Sequence, residues 1–125
     1  MLYKDSMSKR TPQSVKASCD KLFSQLVRSR GMCQRCGETR YELLQTAHIY
    51  SRKFNSVRFD EDNAICLCAR CHRWGHDNPT EFTDWLSSFV NLDALKVKKN
   101  VVSKMKLYNW LELEETLKYK LNETN

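Results

Sequence analysis

Apolar and polar positions follow two different periods along this chain. Leu22, Phe23, Leu26 and Val27 recur at i, i+3/i+4 spacing and predict a helix, with Ser18 or Asp20 to cap its start and Gly31 to end it. Residues 1–17 before it are polar and basic and contain Thr11-Pro12, the pattern of a flexible arm. Leu43 to Tyr50 has β character, with Leu43, Leu44 and Ile49 around His48. Residues 51–63 read as a polar loop, and Ala64–Cys68 as a second, wholly apolar strand. From Ala69 the period turns helical through His72, Trp74 and His76. Asn78-Pro79-Thr80 interrupts it and opens another helix, whose apolar stripe is Phe82, Trp85, Leu86, Phe89 and Val90. A last helix carries Trp110, Leu113, Leu117 and Leu121 on one side. No internal repeat or low-complexity segment interrupts this order.

The chain has 125 residues, enough for one domain with a modest core. Its 21 Lys and Arg outnumber 15 Asp and Glu, for a net charge of +6. That balance favours an anionic partner, nucleic acid being the commonest. No stretch is apolar enough to span a membrane, and the N-terminus lacks the apolar core of a secretory signal. The expectation is a cytoplasmic chain without a membrane partner. In a reducing compartment its six cysteines ligate metal or remain free thiols.

Four of them make two knuckles, Cys33-x2-Cys36 and Cys68-x2-Cys71. Together they supply the tetrahedral thiolate set that zinc prefers, in a closed structural site with no open coordination position. Cys68 is preferred to Cys66 as ligand because it keeps the two-residue spacing. Cys66 and Cys19 read as ordinary small buried residues. The segment between the knuckles is too long for a simple ribbon and must hold structure of its own.

Thr46-Ala47-His48-Ile49, followed by Asp62-Asn63-Ala64-Ile65-Cys66-Leu67-Cys68-Ala69-Arg70-Cys71-His72, resembles the motif of HNH (ββα-metal) nucleases. Its three namesakes fall on His48, Asn63 and His72. Ser51-Arg52, Arg58-Phe59-Asp60 and Asp62-Asn63 are also similar to phage recombination nucleases of the NinG/Rap type. Trp74, His76, Pro79, Glu81-Phe82 and Trp85 resemble, more loosely, a region that follows the motif in some phage HNH proteins.

The resemblance implies an α+β fold: a zinc-stabilised ββα core with one helix before it and further helices after it. It implies a nuclease domain over residues 18–91 and a helical extension over 92–125. The implied activity is hydrolysis of DNA phosphodiester bonds, leaving 5′-phosphate and 3′-hydroxyl ends. Besides the zinc, the implied cofactor is one catalytic divalent cation, Mg²⁺ or Mn²⁺. A phage or prophage origin would put the chain in a bacterial host cell, with phage replication, recombination or packaging proteins as partners.

The chemistry of the residues agrees with that assignment. A histidine with a pKa near 6.5 can take a proton from water at neutral pH, which suits His48 as general base. Asn63 can fix the geometry of strand and loop around it. His72 and His76 are i and i+4, so on one helix they share a face and can chelate one ion. Arg52, Lys53 and Arg58 are the candidate phosphate contacts, Arg52 foremost. One departure stands out. Many HNH enzymes place a metal-binding Asp or His just before the base, where this chain has Ala47. That leaves His76, water or a substrate oxygen to complete the ligand set. The rival readings are a zinc module that binds DNA without cutting it, and an accessory factor that docks through its last helix.

Overall fold

The computed structural model describes residues 10–102 and 104–124. Six α-helices and one two-stranded sheet make up the regular structure of these residues. Positions 1–9 of the expected polar arm lie outside the described residues. From Pro12 the chain is already helical, six residues before the first cap expected from sequence.

That early start has a local cause. Thr11 Oγ1 accepts from Ser14 N at 3.1 Å, and Ser14 Oγ accepts from Thr11 N at 3.0 Å. These reciprocal bonds satisfy the first orphan amides of helix α1 (Pro12–Arg28), with proline in the first turn, where its missing N–H costs nothing. Gly31, at φ 81°, turns the chain out of the helix, a backbone angle that glycine adopts without strain.

The described residues divide into two compact units, and the division does not follow the boundaries expected at 17 and 91. One unit joins the residues up to Leu26 with those from Lys104 onward. Its core consists of Val15, Cys19, Phe23, Leu26, Trp110 and Leu117, contributed by α1 and by α6 (Leu107–Thr124). Glu114 is buried among them, and its carboxylate accepts from both Arg10 Nη1 (2.9 Å) and Arg10 Nη2 (2.6 Å). A buried carboxylate needs such a partner.

The second unit runs from Val27 to residue 103 and holds the sheet. A 3₁₀ turn over Tyr41–Leu43 leads into β1 (Leu44–His48). β1 pairs antiparallel with β2 (Ala64–Cys68), Leu44 opposite Cys68 and His48 opposite Ala64. Every residue of β2 is buried, as its unbroken apolar run requires. Its other edge is not left open, because Gln34 N donates to Cys66 O and Cys66 N donates to Gln34 Oε1. The knuckle thus stands in for a third strand.

Helix α3 (Ala69–Asp77) follows β2 without a loop, completing the ββα order. The connection between the strands, expected as loop, contains the short helix α2 (Asn55–Arg58) and a 3₁₀ turn over Glu61–Asn63. Helix α4 (Pro79–Ser87) buries Leu86. The rest of its expected core stripe is less enclosed: Phe82 and Trp85 are half-buried and Phe89, beyond the helix, is 49% exposed. These aromatics pack mainly on one another, from Trp74–Phe82 to Trp85–Phe89. Helix α5 (Leu92–Lys99), assigned from sequence to a separate extension, belongs to this unit. It buries Leu95, and Lys98 bonds Asp60 at 3.0 Å. No helix among the described residues is long and apolar enough to cross a membrane.

Candidate metal centre and histidine site

Cys33, Cys36, Cys68 and Cys71 form a cluster in which all four Sγ atoms lie within 4.8 Å of one another. Cys36 Sγ and Cys68 Sγ are 3.6 Å apart. With zinc–sulfur bonds of about 2.3 Å, a tetrahedron has edges of about 3.8 Å, so the donor set fits a zinc ion. Gly37, at φ 82°, closes the first knuckle, and the turn it allows aims Cys36 N at Cys33 Sγ, 3.5 Å away. The second knuckle sits at a corner of the fold. Cys68 is the last residue of β2 and the N-cap of α3, and Cys71 lies in the first turn of that helix.

The electrostatics of the cluster call for a cation. Burial pushes the Cys33 thiol up, but hydrogen bonds from the backbone of Cys36, Cys68 and Arg35 outweigh it and hold the thiol at about 6. Cys71 is pushed up to about 12, chiefly by burial. One thiolate forms readily, and further negative charge beside it is resisted until a positive ion compensates it. Arg35 supplies part of that compensation. Its Nη1 donates to Cys71 Sγ at 3.4 Å, while its guanidinium stacks 3.6 Å from the centroid of the Trp74 ring.

On α3, His72 and His76 are brought together, their rings stacked with centroids 5.0 Å apart. Burial, and then the neighbouring His76, hold the His72 imidazole below its ordinary pKa, so it is neutral at pH 7. His72 Nδ1 lies 2.8 Å from Gln45 Oε1. An amide oxygen only accepts, so the proton resides on Nδ1, and Nε2 keeps the lone pair a metal needs. Gln45 played no part in the expectations from sequence. The signal was its position two residues before Ala47, which puts both on one face of a pleated strand.

His48 ends β1. Its Nε2 lies 3.2 Å from Arg58 O, which assigns the proton to Nε2 and makes Nδ1 the basic nitrogen. By strand alternation its Cβ leaves the pleat on the side opposite Gln45 and Ala47. His72 contacts the strand at Gln45, and His48 stands three residues further on, roughly 10 Å along the strand at about 3.4 Å per residue. Ala47 between them is buried and offers no donor.

Asn63 is fully buried and ties the loop to the hairpin. Its Nδ2 donates to Tyr50 O and Val57 O, each at 3.1 Å, and its Oδ1 accepts from Tyr50 N at 2.9 Å. Ile49 N donates to Asn63 O, extending the ladder one step past His48. Arg52 and Lys53 are exposed at the loop surface. Arg58 is half-buried, and its Nη1 bonds Arg52 O at 2.7 Å, so it also braces the loop.

Residues 33–77 match the family model described as HNH endonuclease. The matched stretch holds both cysteine knuckles, β1, β2 and His48, Asn63, His72 and His76. The stretch similar to the HNH family thus contains a four-cysteine cluster placed to hold a metal ion. Neither the curated proteins nor the solved structures gave a match.

Proposed function

We propose that this protein is a divalent-metal-dependent DNA endonuclease, held in shape by zinc on Cys33, Cys36, Cys68 and Cys71. The observation that carries the proposal is the match of residues 33–77, which hold His48, Asn63, His72 and His76, to the HNH endonuclease family. Hydrolysis of a phosphodiester proceeds in line, with water entering on one side of phosphorus while the sugar oxygen leaves on the other. A base and a metal site serving that reaction belong on different sides of the phosphate.

In this reading His48 Nδ1 takes the proton of the attacking water, and the Arg58 carbonyl on Nε2–H stabilises the imidazolium that forms. Asn63 keeps the loop carrying that carbonyl against the hairpin. His72 Nε2 and His76 would hold a divalent cation, which would supply positive charge for the leaving oxygen. Imidazole ligands suit softer divalent ions better than Mg²⁺ or Mn²⁺, whose affinity here would lean on oxygen ligands. Ala47 would give that ion no side-chain ligand, leaving water or substrate oxygens to complete its set. Arg52, Lys53 and Arg58 engage the DNA backbone. The same reading includes a phage or prophage origin, a role in recombination, branched-DNA processing or packaging, and action in the bacterial cytoplasm.

The test is nicking of supercoiled plasmid by His48→Ala in Mg²⁺ or Mn²⁺. A loss of about 10²-fold or more is expected for a general base, and undiminished cleavage removes His48 from that role. The buried Ala47 favours one second reading, a zinc-stabilised DNA-binding module that does not cut. It predicts salt-sensitive binding with no nicking in any divalent ion.

A further inference from the structure

Consecutive lysines at the end of α5 have opposite surroundings. Lys98 Nζ bonds Asp60 at 3.0 Å and lies 4.0 Å from Asp62, so its charge is compensated. Lys99, one residue on, points to another side of the helix. It is half-buried, with Nζ 5.0 Å from the ring centroids of both Tyr50 and Phe54. Lys53 Nζ reaches the Phe54 ring at 5.2 Å. Among the described residues no carboxylate pairs with Lys53 or Lys99. The two ammonium groups line an open groove of about 330 Å³ together with residues 54–56 and 100–102.

The groove is held in place from both sides. Ser56 Oγ donates to Lys99 O at 2.9 Å, pinning the end of α5 to α2. Tyr50 is bonded twice through its backbone to the buried Asn63 and lies two residues from His48. Aromatic faces orient the two ammonium groups without neutralising them. What such a groove lacks is an anion with more than one charge to offer, and a phosphodiester strand supplies one per nucleotide.

We propose that Lys53 and Lys99 form a second phosphate-binding subsite that grips the DNA strand next to the His48 loop, extending the DNA footprint beyond residues 33–77 onto α5. This deepens the endonuclease reading, since it rests on DNA as substrate. It assigns a function to Lys99, which lies outside the family motif, and places Lys53 in a pair with it.

The experiment measures duplex binding as a function of salt in the His48→Ala background, where cleavage does not interfere. Lys53→Met and Lys99→Met remove charge while keeping an apolar stem. Each is expected to reduce the slope of log K against log salt by about 0.9, the value for one phosphate contact, and the double variant by about twice that. Lys99→Arg should retain the slope. Lys96→Met, on the same helix but away from the groove, should leave it unchanged. Parental slopes in both methionine variants, or an equal fall with Lys96→Met, overturn the subsite.

Plasmid nicking by the otherwise unaltered protein separates the two readings. A reduced slope without nicking keeps the subsite and removes the nuclease. Nicking with unreduced slopes does the reverse. Absence of salt-dependent DNA binding by the parent overturns both.

Discussion

Gln45 Oε1 accepts from His72 Nδ1 at 2.8 Å, so a strand amide decides which nitrogen of a helix imidazole carries the proton. Gln45→Leu should free the His72 ring to rotate and exchange tautomers. Hydrogen-bond partners of metal-ligating histidines are worth roughly 10- to 100-fold in affinity. We expect Mn²⁺ binding, followed by electron paramagnetic resonance, to weaken by about 10-fold in this variant while zinc content stays the same. Unchanged Mn²⁺ affinity would show that Gln45 does not orient a ligand.

Metal analysis should find one tightly bound zinc per chain. Structural zinc contributes on the order of 10 kcal/mol or more in small domains, about as much as the whole stability of a typical domain. Chelation, or Cys71→Ser, should therefore abolish the cooperative melt of the unit from Val27 to residue 103. A metal-free sample that keeps this melt would exclude a structural role for the cluster.

Gly75 lies in α3 against the Phe82 ring, and a Cβ there would sit 2.6 Å from Phe82 Cδ2 and 2.9 Å from Cε2. Alanine favours a helix interior over glycine by about 1 kcal/mol, while overpacking costs about 1–3 kcal/mol. The clash should win. Urea denaturation is expected to show Gly75→Ala as a net destabilisation of about 1 kcal/mol, relieved when Phe82 is also changed to Leu. A more stable single variant would mean that the ring yields without cost.

The Arg10–Glu114 pair sets an acid limit on the helix pair of α1 and α6. The bonds from Arg10 hold the Glu114 carboxyl below its ordinary value of 4.5 despite its burial. Between that lowered value and 4.5 the unfolded chain binds more protons than the folded one, so stability rises with pH across this window. The contribution is complete above about pH 4.5 and is lost as pH falls through the folded-state value. Glu114→Gln should flatten this acid arm and, because Arg10 is a third exposed, cost only about 1–2 kcal/mol at pH 7. Thermal melts from pH 3 to 7 measure both effects, and an unchanged acid arm would show that another carboxylate controls it.

Where a period runs long enough, the chain's structure can be read directly. β2 begins and ends where its apolar run does, and α3 starts at Ala69, where the period changes. The cysteine ligands follow from spacing alone, because a knuckle is a local structure. Helix α2 has four residues, too few to show any period, and was hidden in a polar stretch. Helix α5 buries only Leu95, so its pattern looks solvated although its position is set by Asp60 and Ser56. The first turn of α1 is exposed and polar, and only Thr11-Pro12 and Ser14 mark it. Gln45 and Lys99 depend on contacts with residues distant in sequence, which no local pattern contains.

The ends of the segment joining β1 to β2 are already adjacent, since His48 faces Ala64 in the register. Lengthening a loop whose ends are pinned is inexpensive, about 0.6 kcal/mol for each doubling. Asn63 anchors that segment at Tyr50 and Val57, so residues 51–56 can be swapped or extended as a cassette without disturbing the thiolate corner. Grafting there would reshape the surface that carries Arg52 and Lys53 while the strand pairing and the cysteine cluster stay in place.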